Sequence, residues 1–249
     1  MGIFNFNMPT VSDMLMRIIP IVICLTFHEL AHGIVSYRLG DKTAKEMGRL
    51  SLNPIRHIDP IGFIMLVLFR FGWAKPVMVN MQNFKNPKVG MGITALAGPV
   101  SNIILAMIML FIYGIATMVV IGRLSPELRN MILDVFENIG FVSVTSLLRM
   151  LEPGPRDIIL EIILNTAWIS IVLAVFNMIP IPPLDGSKVF FSLLPESVYF
   201  KLMQVERYGF ILLIIFINTE IFNRTVGHLV ETIFRQLFPI ARWAFNLVN

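Results

Sequence analysis

The sequence predicts an all-α integral membrane protein, a polytopic helical bundle with a re-entrant or short β-hairpin element between the first two spanning helices. Of the 249 residues, 56% are apolar and 14% are charged, and the mean hydropathy is +0.76. Soluble domains carry about 25% charged residues. Several apolar runs approach or exceed the roughly 20 residues that a helix needs to cross a bilayer. No polar stretch is as long as a soluble domain, so residues 1–249 are predicted to form a single membrane domain.

The first spanning helix is predicted from about Ser12, as its N-cap, to Leu39, with Gly40 as its stop. It contains the only cysteine of the chain, Cys24, which excludes an intramolecular disulfide and a cysteine-rich metal site.

An H-E-x-x-H motif, residues 28–32, lies within this apolar segment. Residues four apart share one face of a helix, so His28 and His32 can both bind one zinc ion, with Glu29 beside them. Zinc lowers the pKa of a bound water towards about 7, and a neighbouring carboxylate can take the proton of that water. The chemistry that the motif indicates is amide hydrolysis below the membrane surface, with the zinc-bound water activated by Glu29.

Two other functions compete with hydrolysis. Ionisable groups inside a membrane cost several kcal/mol unless they are paired, and they occur in transporters and channels as ion or proton paths. In that case zinc would be absent or mobile. The third alternative is a non-catalytic protein that binds membrane helices, and the intact Glu29 argues against it.

Residues 40–92 are predicted to contain the element that does not span. The apolar run from Gly62 to Trp73 is too short to cross a bilayer and is interrupted by Arg70, which indicates a re-entrant or interfacial segment. Residues 73–80 alternate partly between apolar and polar, as in a short strand or hairpin. His57 is predicted to be a loop histidine paired with Asp59 rather than a metal ligand.

The second spanning helix is predicted over Ile93–Ile121, which has no formally charged residue. Its Ala-Gly-Pro segment, residues 97–99, indicates close helix packing, and Asn102 lies in the apolar run. The connection over 122–156 contains an amphipathic stretch near Met131 to Val142.

The third spanning helix is predicted over Ile158–Ile179, and its end is unusual. Residues 180–183 contain three prolines, which no helix interior accepts, so the chain must unwind there. Asp185 then supplies a carboxylate just beyond the helix. Without the H-E-x-x-H motif, a Pro-Pro-x-Asp-Gly sequence would instead indicate a surface turn.

The last quarter begins with a short apolar run from Tyr208 to Phe222. From Thr225 onward, apolar residues recur at helical spacing, with His228 on the opposite, wet face. This pattern predicts an amphipathic helix at the membrane interface.

Taken together, these motifs resemble the site-2 protease family of intramembrane zinc metalloproteases, in its compact bacterial and archaeal form without PDZ or CBS modules. The resemblance covers roughly the first three quarters of the chain. The main matching stretches are 27–33, 97–99 with Asn102, and 177–186; residues 48–54, 57–60 and 71–77 match a short subgroup.

The resemblance implies that one zinc ion per chain is held by His28, His32 and Asp185, that Glu29 activates the bound water, and that Asn177 binds substrate or stabilises the oxyanion. Asn102 is a second candidate for the substrate or oxyanion role. Three protein ligands plus water is the open coordination of catalytic zinc, so the ligand set also agrees with general zinc chemistry.

The implied partners are the lipid bilayer and a transmembrane protein substrate, as in regulated intramembrane proteolysis. No nucleic acid is expected, because the net charge of +4 fits basic cytoplasmic loops. Residues 38–88 and 188–207 hold twelve of the twenty Lys and Arg residues, against four in 122–156. The resemblance implies the cytoplasmic membrane of a prokaryote. With the segment from Gly62 to Trp73 re-entrant, the charge asymmetry predicts that the zinc lies nearer the cytoplasmic face and the N-terminus outside. The sequence leaves open whether the chain forms a homo-oligomer.

Overall fold

The structure is a computed structural model that describes residues 11–69, 72–138 and 154–247. Within these ranges the chain forms eleven α-helices and no β-strand. The helices are α1 Val11–Arg38, α2 Thr43–Glu46, α3 Pro60–Phe69, α4 Pro87–Ile121, α5 Pro126–Asn138, α6 Pro155–Asn177, α7 Asp185–Ser192, α8 Glu196–Val205, α9 Gly209–Ile217, α10 Glu220–Leu237 and α11 Pro239–Asn246. The prediction of an all-α membrane protein is confirmed.

Among the described residues, three helices are long and apolar enough to cross a membrane: α1 from Met16, α4 and α6. They correspond to the three predicted spans. Helix α4 begins six residues before the predicted Ile93, because the Asn86 side chain caps it by accepting a hydrogen bond from the Val89 amide at 3.1 Å and Pro87 occupies its first position. Helix α1 already includes Val11, so Ser12 lies inside the helix and the predicted N-cap is wrong.

Helix α3 occupies the predicted non-spanning element and has only ten residues. The segment after it, residues 73–80, contains no helix or strand. One antiparallel bridge joins Ile58 to Ala74, and it is the only such pairing in the described parts of the chain. The predicted hairpin therefore stays a prediction, and Arg70 lies outside the described residues.

The predicted pairing of His57 with Asp59 is wrong. The His57 side chain is buried, and its Nε2 lies 2.7 Å from the Ser51 carbonyl oxygen. The Asp59 carboxylate instead accepts a hydrogen bond from the Gly62 amide at 2.8 Å, where it caps the start of α3.

The C-terminal helices complete the core of the bundle. Helix α10 is amphipathic as predicted, but its apolar stripe packs into the protein: Val230 and Phe234 are 2% and 1% exposed. The core that they join is formed chiefly by α4, α6, α10 and α11, with Leu110, Tyr113, Leu160, Ile171, Phe234 and Phe245 among its buried members. The position of this helix at the membrane interface stays a prediction, and His228 is exposed as predicted.

The chain bends by 80° between α9 and α10, across Asn218 and Thr219. The Thr219 hydroxyl caps α10 by accepting from the Phe222 amide at 3.2 Å. The predicted amphipathic stretch over 131–142 falls on α5 up to Asn138, and its last four residues lie outside the described ranges.

Candidate metal centre

Helix α1 positions both histidines on the face that packs against α4. His28 and His32 are 4% and 8% exposed, so both imidazoles are buried. The backbone of α4 approaches them at Gly98: a Cβ built on this residue would lie 2.5 Å from His28 Cε1 and 2.5 Å from His32 Nε2. Only glycine allows the two helices to meet at this distance, because any side chain would occupy the space of the imidazole rings.

The break after α6 delivers the third side chain. Helix α6 ends at Asn177, the proline-rich segment turns the chain, and Asp185 is the first residue of α7. The turn is tight, because a Cβ on Gly186 would lie 2.6 Å from the Ile179 carbonyl oxygen. The predicted unwinding is confirmed, and it returns the chain so that the Asp185 carboxylate faces α1.

The two imidazoles and the carboxylate meet at three atoms. His28 Nε2 lies 3.0 Å from His32 Nε2 and 3.0 Å from Asp185 Oδ2, and His32 Nε2 lies 3.1 Å from Asp185 Oδ2. The three form a nearly equilateral triangle of potential ligand atoms. In the described parts of the chain, these are the side chains that lie close enough together, as a set of at least three, to hold a metal ion.

This triangle fits a zinc ion. Ligand bonds of about 2.0–2.1 Å in tetrahedral geometry give neighbouring ligand atoms separated by about 3.3 Å, and the observed separations are within a few tenths of an ångström of that value. Two neutral imidazoles and one carboxylate carry a single negative charge, which suits a dication, and three protein ligands leave the fourth position open.

A further contact orients each imidazole. His32 Nδ1 lies 2.7 Å from the Thr94 carbonyl oxygen, which can only accept, so Nδ1 carries the proton and Nε2 keeps its lone pair for the metal. His28 Nδ1 lies 3.4 Å from the Asn102 side-chain amide, and Asn102 is fully buried.

Glu29 is held by the 73–80 segment rather than by a helix. Its Oε2 accepts a hydrogen bond from the Val77 amide at 2.8 Å. This contact crosses from α1 to a segment 48 residues later in the chain, and it fixes one oxygen of the carboxylate.

Asn177 is the predicted site residue that the structure does not join to the others. It ends α6, and its side-chain amide donates to the Leu173 carbonyl at 3.0 Å, one turn back along the same helix. Asn102, in contrast, lies behind His28 and is covered by protein.

Sequence reasoning missed Thr94 and Val77, because each contributes only its backbone. The backbone carbonyl and amide are common to all residues except proline, whose nitrogen has no hydrogen, so residue type indicates neither contact.

Comparison with known proteins gives one family. The model of peptidase family M50 matches residues 16–217. The protein YwhC of Bacillus subtilis (strain 168), which is named as a zinc metalloprotease, is 37% identical over 206 residues, or 82% of this chain and 80% of YwhC.

Two more distant relatives, each called Rip2, are also named as zinc metalloproteases. The Rip2 of Mycolicibacterium smegmatis is 25% identical over 84% of this chain and 69% of its own length, and that of Mycobacterium tuberculosis is 22% identical over 91% and 71%. No solved structure matches the chain.

Proposed function

The chain belongs to peptidase family M50 and is a zinc metalloprotease, and from this premise we propose that it hydrolyses a peptide bond in or near a transmembrane helix of a membrane-protein substrate. The observation that carries the proposal is the triangle of His28, His32 and Asp185: both histidines lie on α1, which is apolar enough to span a bilayer, and Asp185 follows the end of α6, which is also apolar enough to span. The unit that performs the reaction is one membrane domain.

His28, His32 and Asp185 would hold one zinc ion per chain. When bound, zinc supplies Lewis acidity that lowers the pKa of a water in its open position and polarises the scissile carbonyl. The Thr94 carbonyl supports this ligand set because it fixes the His32 tautomer.

We assign to Asn102 the task of fixing the tautomer of His28. With Nε2 facing the metal, His28 Nδ1 carries a proton and needs an acceptor. The Asn102 Oδ1 atom is buried and has no hydrogen-bond partner among the described residues when the amide nitrogen faces His28. Turning the amide over lets Oδ1 accept from Nδ1. This role replaces the predicted contact of Asn102 with substrate, because its side chain is covered by protein.

Glu29 is the proposed general base. Its Oε2 is occupied by the Val77 amide, which leaves Oε1 to take a proton from the attacking water and pass that proton to the leaving amine. Asn177 is the proposed donor to the oxyanion, and to act it must release the Leu173 carbonyl to which it now donates.

An apolar groove of about 620 Å³ is the feature that supports an apolar substrate segment. It lies between α4, α6 and the α9–α10 bend, with Pro99, Met178 and Phe216 among its lining residues. Substrates are expected to carry Gly, Pro or other weak helix formers near the cut, because a regular helix hides its carbonyls in hydrogen bonds.

The site is proposed to lie nearer the cytoplasmic face of a prokaryotic cytoplasmic membrane, with α3 and the 73–80 segment re-entrant. The crossings support this arrangement. His28 and Asp185 are in contact, so the C-terminal ends of α1 and α6 face the same side. Helix α4 crosses back once between α1 and α6, which lets α6 run in the same direction as α1. An additional crossing by α3 would reverse the direction of α6 and put Asp185 on the opposite side of the membrane. The ten residues of α3 are also too few to span.

The test uses purified protein in liposomes with a fluorogenic single-span model peptide that carries a glycine near its centre. The wild-type chain is expected to cleave the peptide, and Glu29→Gln to keep zinc but lose cleavage, because an amide cannot take the proton. Replacing the residues around the glycine with Leu and Ala should lower the cleavage rate. Near wild-type cleavage by Glu29→Gln would remove Glu29 as the base.

A further inference from the structure

Asp41 is a buried carboxylate outside the metal centre. It follows the end of α1, after Gly40 turns the chain with φ +113°, and its exposed fraction is 0%. Its Oδ1 accepts from the Thr43 hydroxyl at 2.6 Å, the Thr43 amide at 3.1 Å and the Asn83 side-chain amide at 2.8 Å; its Oδ2 accepts from the Asn80 amide at 2.8 Å. Four donors satisfy a charge that would otherwise be costly to bury.

The hydrogen bond from Asn80 ties Asp41 to the segment that holds Glu29. Val77 lies three residues before Asn80 in the same segment, and the Val77 amide donates to Glu29 Oε2 at 2.8 Å. At its other end, the segment is fixed by the Lys75 amide, which donates to the His57 carbonyl at 2.9 Å. Val77 therefore lies between two fixed points of the segment: the contact of Lys75 with the His57 carbonyl and the contact of Asn80 with Asp41. Only the second of these contacts involves a charged group.

We infer that Asp41 is a positioning residue for the protease reaction: by holding Asn80, it keeps the Val77 amide against Glu29. The inference rests on the proposed role of Glu29 as the base. A general base must be held in a defined geometry to take a proton efficiently. A hydrogen bond on one oxygen limits rotation of the carboxylate and directs the other oxygen, so a loosened segment lowers the fraction of time that Glu29 spends in the productive orientation.

The competing explanation is that Asp41 only ties the loop after α1 together, since it also bonds Thr43 at the start of α2. The two explanations predict different results, because only the first requires Asp41 to act through the hydrogen bond between Val77 and Glu29.

The first experiment compares three variants. Asp41→Asn keeps one acceptor oxygen for Thr43 and Asn83 but turns an NH₂ group toward the Asn80 amide. Val77→Pro removes the donor to Glu29. Each is expected to lower kcat on the model peptide roughly 10-fold, the effect of losing a hydrogen bond to a charged group, with KM and zinc content unchanged. Thr43→Val is the matched control: it removes a hydrogen bond to the same carboxylate but leaves Asn80 in place, so its kcat should equal that of the wild type.

The decisive measurement is the double variant of Asp41→Asn with Val77→Pro. If Asp41 acts through Val77, the double variant loses no more kcat than either single variant; losses that multiply to roughly 100-fold overturn the inference. Wild-type kcat in Asp41→Asn overturns it as well. Should Asp41→Asn not fold, Asn80→Pro, which removes the backbone amide that donates to Asp41 Oδ2, takes its place in the cycle with the same criterion.

Hydrogen exchange supplies a readout independent of activity. In Asp41→Asn the amides of residues 77–80 should exchange faster, while those of α6 should not change. Unchanged exchange over 77–80 overturns the inference. Failure of the proposed function is recognised separately: a wild-type chain that does not cleave the peptide overturns the proposed cleavage, and an active Glu29→Gln overturns the role of Glu29. Failure of this inference alone leaves the wild type active, Glu29→Gln inactive and the double variant multiplicative.

Discussion

Gly98→Ala is expected to damage the metal centre without touching a ligand. The new methyl group would lie 2.5 Å from His28 Cε1 and His32 Nε2, and 2.6 Å from His32 Cε1. Carbon atoms in ordinary contact are about 3.5–4.0 Å apart, so either the rings or α4 must move by about 1 Å. Ligand distances at a metal site tolerate deviations of about 0.2 Å. The required movement is several times larger than the site can absorb.

The magnitude follows from the two ways in which the overlap can be relieved. If the rings move, His32 Nε2 leaves the position from which it would bind the metal. If α4 moves, the 2.7 Å contact between His32 Nδ1 and the Thr94 carbonyl is stretched by about 1 Å, beyond hydrogen-bonding distance. Loss of such a supporting contact costs about 10–100-fold in metal affinity. We expect zinc affinity to fall by about 100-fold, equivalent to about 2.7 kcal/mol.

The assay is zinc competition against a chelator of known affinity, together with zinc content after purification. Alanine is a better helix former than glycine by about 1 kcal/mol, so helix propensity does not weaken α4 in this variant. Gly114→Ala is the matched control, because Gly114 also packs without room for a Cβ, against the Ala241 backbone of α11. It lies sixteen residues further along α4, about 24 Å away, and should lower thermal stability while zinc affinity stays at the wild-type value. Wild-type zinc affinity in Gly98→Ala would refute the reasoning.

Three further predictions concern the third ligand, the buried carboxylate and the topology. Asp185→Ala should lower zinc content together with activity, and full zinc retention would remove Asp185 from the ligand set. Burial alone would raise the pKa of Asp41, but the hydrogen bonds that it accepts outweigh burial and lower its pKa. The Asp41 carboxylate therefore stabilises the fold above the ordinary carboxyl pKa of about 3.9, and this stabilisation is lost as pH falls through the lowered pKa. The midpoint of thermal unfolding should depend less on pH between 2 and 6 in Asp41→Asn than in the wild type. Equal pH dependence would contradict this. Single cysteines at Lys85, Glu127 and Lys201, in a chain without its natural cysteine, should react with an impermeant reagent from outside only at position 127, and external labelling at 85 or 201 would overturn the proposed topology.

The parts of the fold that sequence predicted well depend on local rules. Residues four apart on a helix share a face whatever the rest of the chain does, so the approach of His28 to His32 follows from the motif alone. The three prolines before Asp185 exclude a continuous helix in the same local way. The length of an apolar run similarly identifies the three spanning helices, although the start of α4 was set by the cap at Asn86 rather than by hydrophobicity.

The parts that sequence did not predict depend on which partner a residue finds. An apolar stripe has the same sequence pattern whether it faces lipid or another helix. The pattern therefore could not show that Val230 and Phe234 are buried in the protein core. Proximity in sequence also misled at His57, because the nearby Asp59 is used to cap α3 and a backbone carbonyl takes its place.

The histidine motif supplies two of the three proposed zinc ligands, but it does not by itself bring the third to the right distance. That distance depends on two residues that have no side chain: Gly98 lets α4 close on the imidazoles, and Gly186 lets the turn after α6 fold tightly enough to direct Asp185 at them. A chain with all three ligands but a larger residue at either glycine would keep the motifs and lose the triangle of 3.0–3.1 Å. The ability to bind zinc therefore resides as much in the spacing between helices as in the ligands, and a substitution at a residue that never touches zinc can abolish it.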